Sequence, residues 1–498
     1  MDSTPPSQQQ HHETAAKDRV PVREKIGLGF GKVVADGTHG SLYTLINPIF
    51  NITMGLPPQY ISNIMFLQRI WDAFIDPLCG QFSDNFRSRW GRRRPLILIA
   101  AFPLALFFGL MFWFPMDAGS RTFLNLPYLF WHLLLVSMIF YAAHSLFAMP
   151  LNGLIIEATD DYHERTRIAG VTLAFGFAMQ IGSQWLFPLV QRWVPAGADQ
   201  ATKIATTVIG LRWVTAGCAG IFLLSAVLPV LLCRERLYAK VTQKQAKTSL
   251  IQGLRAVSDN RSFMSLLFAR GIFSFGYQLV GSLGSYMYIY YVYGGDVKGS
   301  AVNYAYLGSS FHIAAIITSL VIFPWLEKHV GKRRCLQIAA WILIVDCISK
   351  IFLYQHNQPW LPIFVIMTNG MSNAGIGLMA VAMTADIADY DEWKNGLRRE
   401  GLFMSLLSWM EKAGGSVGVL LTGYLLAYIG FDAKAGAQPE HTLQMMKYSY
   451  VIAPMLGAIA TLFLVRGYTL TQDQVYEIKE ELGRRRAGAS TDANPESA

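Results

Sequence analysis

Arg69-Ile-Trp-Asp72-Ala-Phe-Ile-Asp76-Pro77 sets two carboxylates and a guanidinium within one apolar stretch. On a helix, Asp72 and Asp76 stand at i and i+4 on one face, and Arg69 reaches Asp72 from three residues upstream. Two carboxylates that close resist ionising together, so the pair either shares a proton or takes up a cation. The plainer reading is a static Arg69–Asp72 ion pair, but one basic group leaves the second acid unbalanced. Pro77 removes a backbone donor and could leave an upstream carbonyl free as a further oxygen ligand.

Other polar groups in apolar surroundings are candidates on the same ground, since an ionisable residue inside a bilayer costs several kcal/mol unless it faces protein or water. Asp36, in Lys32-Val-Val-Ala-Asp36-Gly-Thr-His39-Gly, could accept hydrogen bonds from vicinal hydroxyls of a polyol; its plainer use is pairing with Lys32 at i−4. His144, Ser145 and Asn152 offer neutral hydrogen-bonding groups, Ser145 as part of an oxygen cage and His144 equally as an interhelical bond. Lys412, in Ser408-Trp409-Met410-Glu411-Lys412-Ala-Gly-Gly, needs an acid from another helix, and Asp72 or Asp76 is the natural partner. Glu411 points about 100° away from Lys412 and is not its local partner. Trp409 and Trp71 could stack on a sugar ring, or simply pack. Asp346 and Lys350, at i and i+4, read as a structural pair. Two basic-acidic loops read as gate stabilisers: Asp84 with Arg92, Arg93 and Arg94, and the run holding Asp386, Asp389, Arg398 and Arg399.

The elements that position these groups follow from composition. The 498 residues are 52% hydrophobic and 15% charged, against about 25% charged in soluble domains. Apolar stretches of about 20 residues, enough to cross a bilayer as helices, recur near 26–52, 58–81, 95–115, 126–154, 168–190 and 208–232. Six more follow near 262–293, 300–325, 336–354, 360–388, 402–430 and 446–468. The connections and tails on one side carry 29 Lys and Arg, those on the other 5; the positive-inside rule makes the richer side cytoplasmic and puts both tails there. This topology accounts for the net charge of +9 without a nucleic-acid partner. The polar residues 1–24 lack the apolar core of a signal peptide and read as a disordered cytoplasmic tail. The five cysteines show no metal-ligand spacing and read as reduced packing thiols.

The polar stretch 234–261 falls after six spans and before six more, as a linker between two bundles, 25–233 and 262–470, with 471–498 a second cytoplasmic tail. Gly91-Arg-Arg-Arg is echoed 240 residues later by Gly331-Lys-Arg-Arg, and Asp161-Tyr162 by Asp389-Tyr390 after 228, as a duplicated six-helix unit would give. Paired bundles around a midplane cavity fit a substrate carrier.

Together these motifs resemble the glycoside-pentoside-hexuronide:cation symporter family of the major facilitator superfamily, the melibiose permease type. The matching residues are Trp71-Asp72-x-x-x-Asp76-Pro77 with Asp84 and the Gly91-Arg-Arg-Arg-Pro turn, Ala385-Asp386-Ile-x-Asp389-Tyr390 through Gly401, and Lys412-Ala-Gly-Gly, spread over residues 25–470. The resemblance implies an all-α fold of 12 transmembrane helices in two six-helix bundles, with both termini cytoplasmic. It implies a cation at Asp72 and Asp76 with Ser145 as hydroxyl ligand, Lys412 between cation and sugar, Asp36 holding sugar and Ser408 near it. Two departures stand out: Ile75 replaces the amide of sodium-using members, which favours H⁺ over Na⁺, and Ala148 and Asn152 replace an aspartate and a tryptophan around Pro150, which breaks the galactoside set.

The sequence therefore predicts a cation-coupled symporter of a sugar or glycoside in a cell inner membrane, working as a monomer, without a cofactor and with no metal beyond a possible Na⁺ at Asp72 and Asp76. The same fold could carry a lysolipid or nucleoside, or serve as a receptor without flux. An intramembrane prenyltransferase would need a second acidic cluster facing the same cavity, whereas residues 386–392 lie at the membrane edge among arginines.

Overall fold

The structure is a computed structural model that describes residues 19–159, 161–235, 260–396, 399–433 and 435–492. The linker 234–261 and the first tail fall mostly outside these residues. Twelve long helical runs follow one another among the described residues: Val22–Ile46 extended by a π-helical turn Asn47–Thr53, Pro58–Asn85, Arg94–Met111, Tyr128–Ile156, Tyr162–Gln184 with Leu186–Gln191, and Gln200–Leu232; then Arg261–Tyr286 extended by a π-helical turn Met287–Val292, Val297–Ile317 continued to Val330, Lys332–Leu353, Pro362–Asn395, Glu400–Tyr428, and Glu440–Leu464. Between the third and fourth runs a two-residue hairpin, Thr122–Phe123 against Leu126–Pro127, turns through Leu124 and Asn125, both at positive φ. It is a small β exception to an otherwise helical chain.

Nine of the described helical segments are long and apolar enough to cross a bilayer. The other three, Val22–Ile46, Pro58–Asn85 and Glu400–Tyr428, carry Asp36, the Asp72–Asp76 pair and Lys412. Their low hydropathy has a physical reason: these are the helices that turn charged groups toward one shared cavity.

One buried core is built from residues between Val20 and Cys233, joined by Ala301 and Val419. Two others, between Phe263 and Tyr468 and between Leu279 and Tyr450, come from the later residues, joined by Ile52. The bridges between these sets include Tyr424 Oη donating to Asn63 Oδ1 at 3.2 Å, Lys298 Nζ donating to the Val194 carbonyl at 2.6 Å, and the Gln184–His312 contact at 3.4 Å. Near the first of these, Gly423 lies so close to Pro58 and Ser62 that a Cβ would fall 2.2 Å from Ser62 Oγ.

The 240-residue echo has a backbone counterpart. Gly91 and Gly331 both adopt positive φ, 103° and 79°, a region that favours glycine. The π-helical turns begin at Asn47 and Met287, again 240 residues apart.

Beyond the twelve runs, Gln472–Asp492 forms a helix where the sequence predicted only a tail. Val475, Ile478 and Leu482, at helical spacing, are buried beneath it. Lys479 Nζ pairs with Asp386 at 3.1 Å, and Trp393 Nε1 donates to Glu481 at 2.6 Å.

Candidate functional site

Asp76 is held from both halves of the chain. Its Oδ1 accepts from Ser145 Oγ at 2.6 Å and its Oδ2 from Lys412 Nζ at 2.9 Å. Of the two acids open to Lys412, the ammonium therefore takes Asp76. One turn earlier Asp72 is 4% exposed, its Oδ2 lying 3.5 Å from Arg69 Nη1, while its buried Oδ1 finds no hydrogen-bond partner among the described residues. Arg69 gives its Nη2 proton to Tyr43 Oη instead, so it holds Asp72 loosely. A buried oxygen left without a donor costs about 1–3 kcal/mol, which a proton or cation bound there would remove. Pro77 sits inside the same helix without ending it.

Asp36 pairs with Lys32 Nζ at 3.1 Å and both remain partly open, so the plainer partner and the cavity-facing position coexist. Its carboxylate rests on the bare backbone of Gly176, where a Cβ would stand 2.4 Å from Oδ2. Gln180 Nε2 donates to the Asp36 carbonyl at 3.3 Å. His144 Nε2 lies 3.0 Å from the Ala35 carbonyl, and its ring meets His39 edge-on at 4.3 Å. His144 thus serves as an interhelical bond while still lining the cavity.

These groups enclose a space of about 260 Å³ whose wall includes Asp36, Asp72, Asp76, His144, Asn152 and Lys412. Arg69 and Lys412 also line an adjoining space of about 380 Å³ with Ser408, Arg270 and Gln278. His39 and Gln180 lead into a third, of about 420 Å³, walled by Gln184, Tyr277, Asn369 and Tyr450. Shared walls make the three one branched cavity between the halves. A larger opening of about 890 Å³, between Asp391, Trp393 and the last helix, shares no wall with it.

Ser408 reaches the cavity, but Trp409 does not join it: one residue on is about 100° around the helix, and Trp409 turns outward, 55% exposed. Of the two uses open to Trp409, this position accords with the plainer one, contact with its surroundings, and not with stacking on a sugar. Trp71 donates its Nε1 proton to the Met138 carbonyl at 2.9 Å and packs against the first core. Glu411 pairs with Arg270, away from Lys412. Arg270, 8% exposed in its own apolar run, escaped the sequence reading, although the rule that singled out Lys412 applies to it equally.

The loop networks pair as follows among the described residues. Arg92 and Arg93 bind Glu157 at 2.6 and 2.5 Å, Arg94 Nε donates to the Val230 carbonyl at 2.9 Å, and Glu235 accepts the backbone N–H groups of Arg92, Arg93 and Arg94. On the other side Asp386 binds Lys332 at 2.6 Å, Asp389 lies 3.8 Å from Lys479, and Arg399 binds Asp391 at 2.6 Å. The Asp84 side chain and Arg398 lie outside the described residues.

Comparison with known proteins matches residues 27–472 to the family described as MFS/sugar transport protein. The isoprimeverose transporter of Lactiplantibacillus pentosus is 24% identical over 476 residues, covering 91% of this chain and 93% of that protein. The glucuronide carrier protein homolog of Escherichia coli K12 is 24% identical over 470 residues, 93% and 96% of the two chains. Among solved structures, that of a D-xylose-proton symporter superposes with a TM-score of 0.61 at 13% identity over 90% of this chain and 99% of the other, a likeness of fold. The chain belongs to the MFS/sugar transport protein family, as a multi-pass major facilitator of the glycoside-pentoside-hexuronide symporter type that its motifs resemble.

Proposed function

We propose that this chain is a secondary active transporter that carries a sugar or glycoside together with a cation, H⁺ in preference to Na⁺, by alternating access. In this reading the twelve helical runs all span the membrane, as bundles 25–233 and 262–470 joined by the 234–261 linker, with both termini cytoplasmic. The chain works as a monomer in the cell inner membrane. The observation that carries the reading is Asp76, bound by Ser145 from one half and Lys412 from the other, one turn from an Asp72 oxygen with no donor.

The mechanism follows from that arrangement. A cation on the Asp72–Asp76 pair offsets its charge and releases Asp76 from Lys412, loosening a tie between the halves. The freed ammonium and Asp36 then offer a donor and an acceptor to vicinal hydroxyls, with Gln180 and Asn152 beside them. Ion and sugar favour the same rearrangement, so each raises the affinity for the other. H⁺ is preferred because Ile75 supplies no oxygen to the pair. The remaining oxygens suit a proton better than a metal cation that needs several ligands.

The test is uptake of mono-, di- and uronic-acid sugars into proteoliposomes under Na⁺ and pH gradients imposed separately, with a nucleoside and a lysolipid as controls. A sugar accumulated under the pH gradient alone is expected. Drive by Na⁺ alone, or movement of only the control solutes, overturns the reading.

A further inference from the structure

A second ionisable pair lies in the later half, away from Asp76. Asp346 and Lys350, one turn apart on Lys332–Leu353, are each 1% exposed, with Lys350 Nζ 3.0 Å from Asp346 Oδ2. Two charges buried within a spanning helix are costly, and an apolar pair of similar volume would often serve stability as well. A structural tie alone therefore leaves their presence unexplained.

The partners are unevenly shared. Asp346 Oδ1 accepts from Thr368 Oγ1 at 2.8 Å, and Oδ2 accepts from Asn369 Nδ2 at 3.3 Å in addition to facing Lys350. Lys350 Nζ makes no geometrically sound hydrogen bond among the described residues and rests 4.5 Å above the Tyr450 ring. The carboxylate is thus the organising centre, and the ammonium balances its charge while bracing an aromatic ring.

Both branches of this network end at the sugar-sized cavity. Asn369, Tyr354 and Tyr450 all line its 420 Å³ arm, and the two tyrosine hydroxyls are 3.1 Å apart. An amide can present either its oxygen or its NH₂, and its neighbours decide which. A carboxylate only accepts, so Asp346 takes the NH₂ and leaves Asn369 Oδ1 for the cavity.

We propose that Asp346 and Lys350 are a positioning pair that fixes Asn369 as an acceptor for a substrate hydroxyl, so that Asn369 and the Tyr354–Tyr450 pair form a second pole of the substrate site, opposite Asp36. The proposal rests on the sugar-transport reading and assigns that site a wall in the later half. Neither residue of the pair touches substrate; each acts through Asn369 and Tyr450.

The test is counterflow of labelled D-xylose, isoprimeverose and methyl glucuronide in proteoliposomes, a measurement that needs no ion gradient. Asn369→Ala, Asp346→Asn and the apolar double variant Asp346→Leu/Lys350→Met are compared with the unaltered chain. Each is expected to raise the half-saturating sugar concentration about tenfold, the equivalent of one hydrogen bond. The maximal rate should be unchanged, and adding Asn369→Ala to the double variant should bring no further loss. Asp346→Asn strands a buried ammonium, so the double variant, which strands no charge, serves as the readout should Asp346→Asn not fold. Unchanged half-saturation in Asp346→Asn, losses that multiply when the changes are combined, or a fall in maximal rate alone overturns the proposal. If the unaltered chain exchanges none of the three sugars, the sugar-transport reading itself fails and takes the proposal with it; exchange by the unaltered chain with variants unaffected removes only the proposal.

Discussion

Lys412 Nζ lies 2.9 Å from Asp76 Oδ2, an ion pair between residues 336 positions apart that ties the two halves together inside the cavity. Removing one member leaves the other charge in a partly buried site, while removing both leaves none. Lys412→Met and Asp76→Asn should therefore each lower the thermal midpoint in detergent more than the double variant does, a non-additivity that a double-mutant cycle reads directly. Additive losses would mean that the two groups do not act as a pair.

Gly176 makes a narrower prediction. Asp36 Oδ2 occupies the space a side chain would need, so Gly176→Ala must push the carboxylate aside. The half-saturating sugar concentration should rise about tenfold or more, as for the loss of a charged hydrogen bond. The dependence on the ion gradient should stay as it was. An equal loss in both would place Asp36 in ion coupling.

Outside the membrane, Glu164 ties Val20 and Lys25, at the head of the first helical run, to the fifth. Burial works to raise its pKa, but hydrogen bonds from Lys25 and from the Val20 amide outweigh it and hold the carboxyl below its ordinary 4.5. A lowered carboxyl pKa contributes stability that is present above the ordinary value and lost as the pH falls through the folded one. Glu164→Gln should therefore lower the thermal midpoint at neutral pH, and the difference from the unaltered chain should shrink below about pH 4. Lys479 has the opposite sign. Burial works to lower its pKa, yet Asp386 raises it, so its hold on the last helix persists through neutral pH and is lost only in alkali. Lys479→Met should make Gln472–Asp492 sensitive to protease at neutral pH.

Much of the site was legible in the sequence because charge inside an apolar run is costly and therefore conspicuous. Asp72, Asp76, Lys412, Ser145 and Asp36 were found that way or through the resemblance, and they do converge. Trp409 stayed open between two uses because an aromatic ring suits lipid as well as sugar. The amide wall of Gln180, Gln278 and Asn369 passed unnoticed because an amide costs a membrane helix far less than a charge. The last helix was missed although Val475, Ile478 and Leu482 carry its periodicity, since its high charge reads as a solvated tail.

The central claim is that ion coupling runs through Asp76. Asp76→Asn, reconstituted beside the unaltered chain and supplied with a sugar the latter transports, separates coupling from passage. The account predicts that the variant exchanges sugar in counterflow but neither accumulates it under an imposed pH gradient nor takes up protons when sugar is added. Accumulation at the level of the unaltered chain would contradict it.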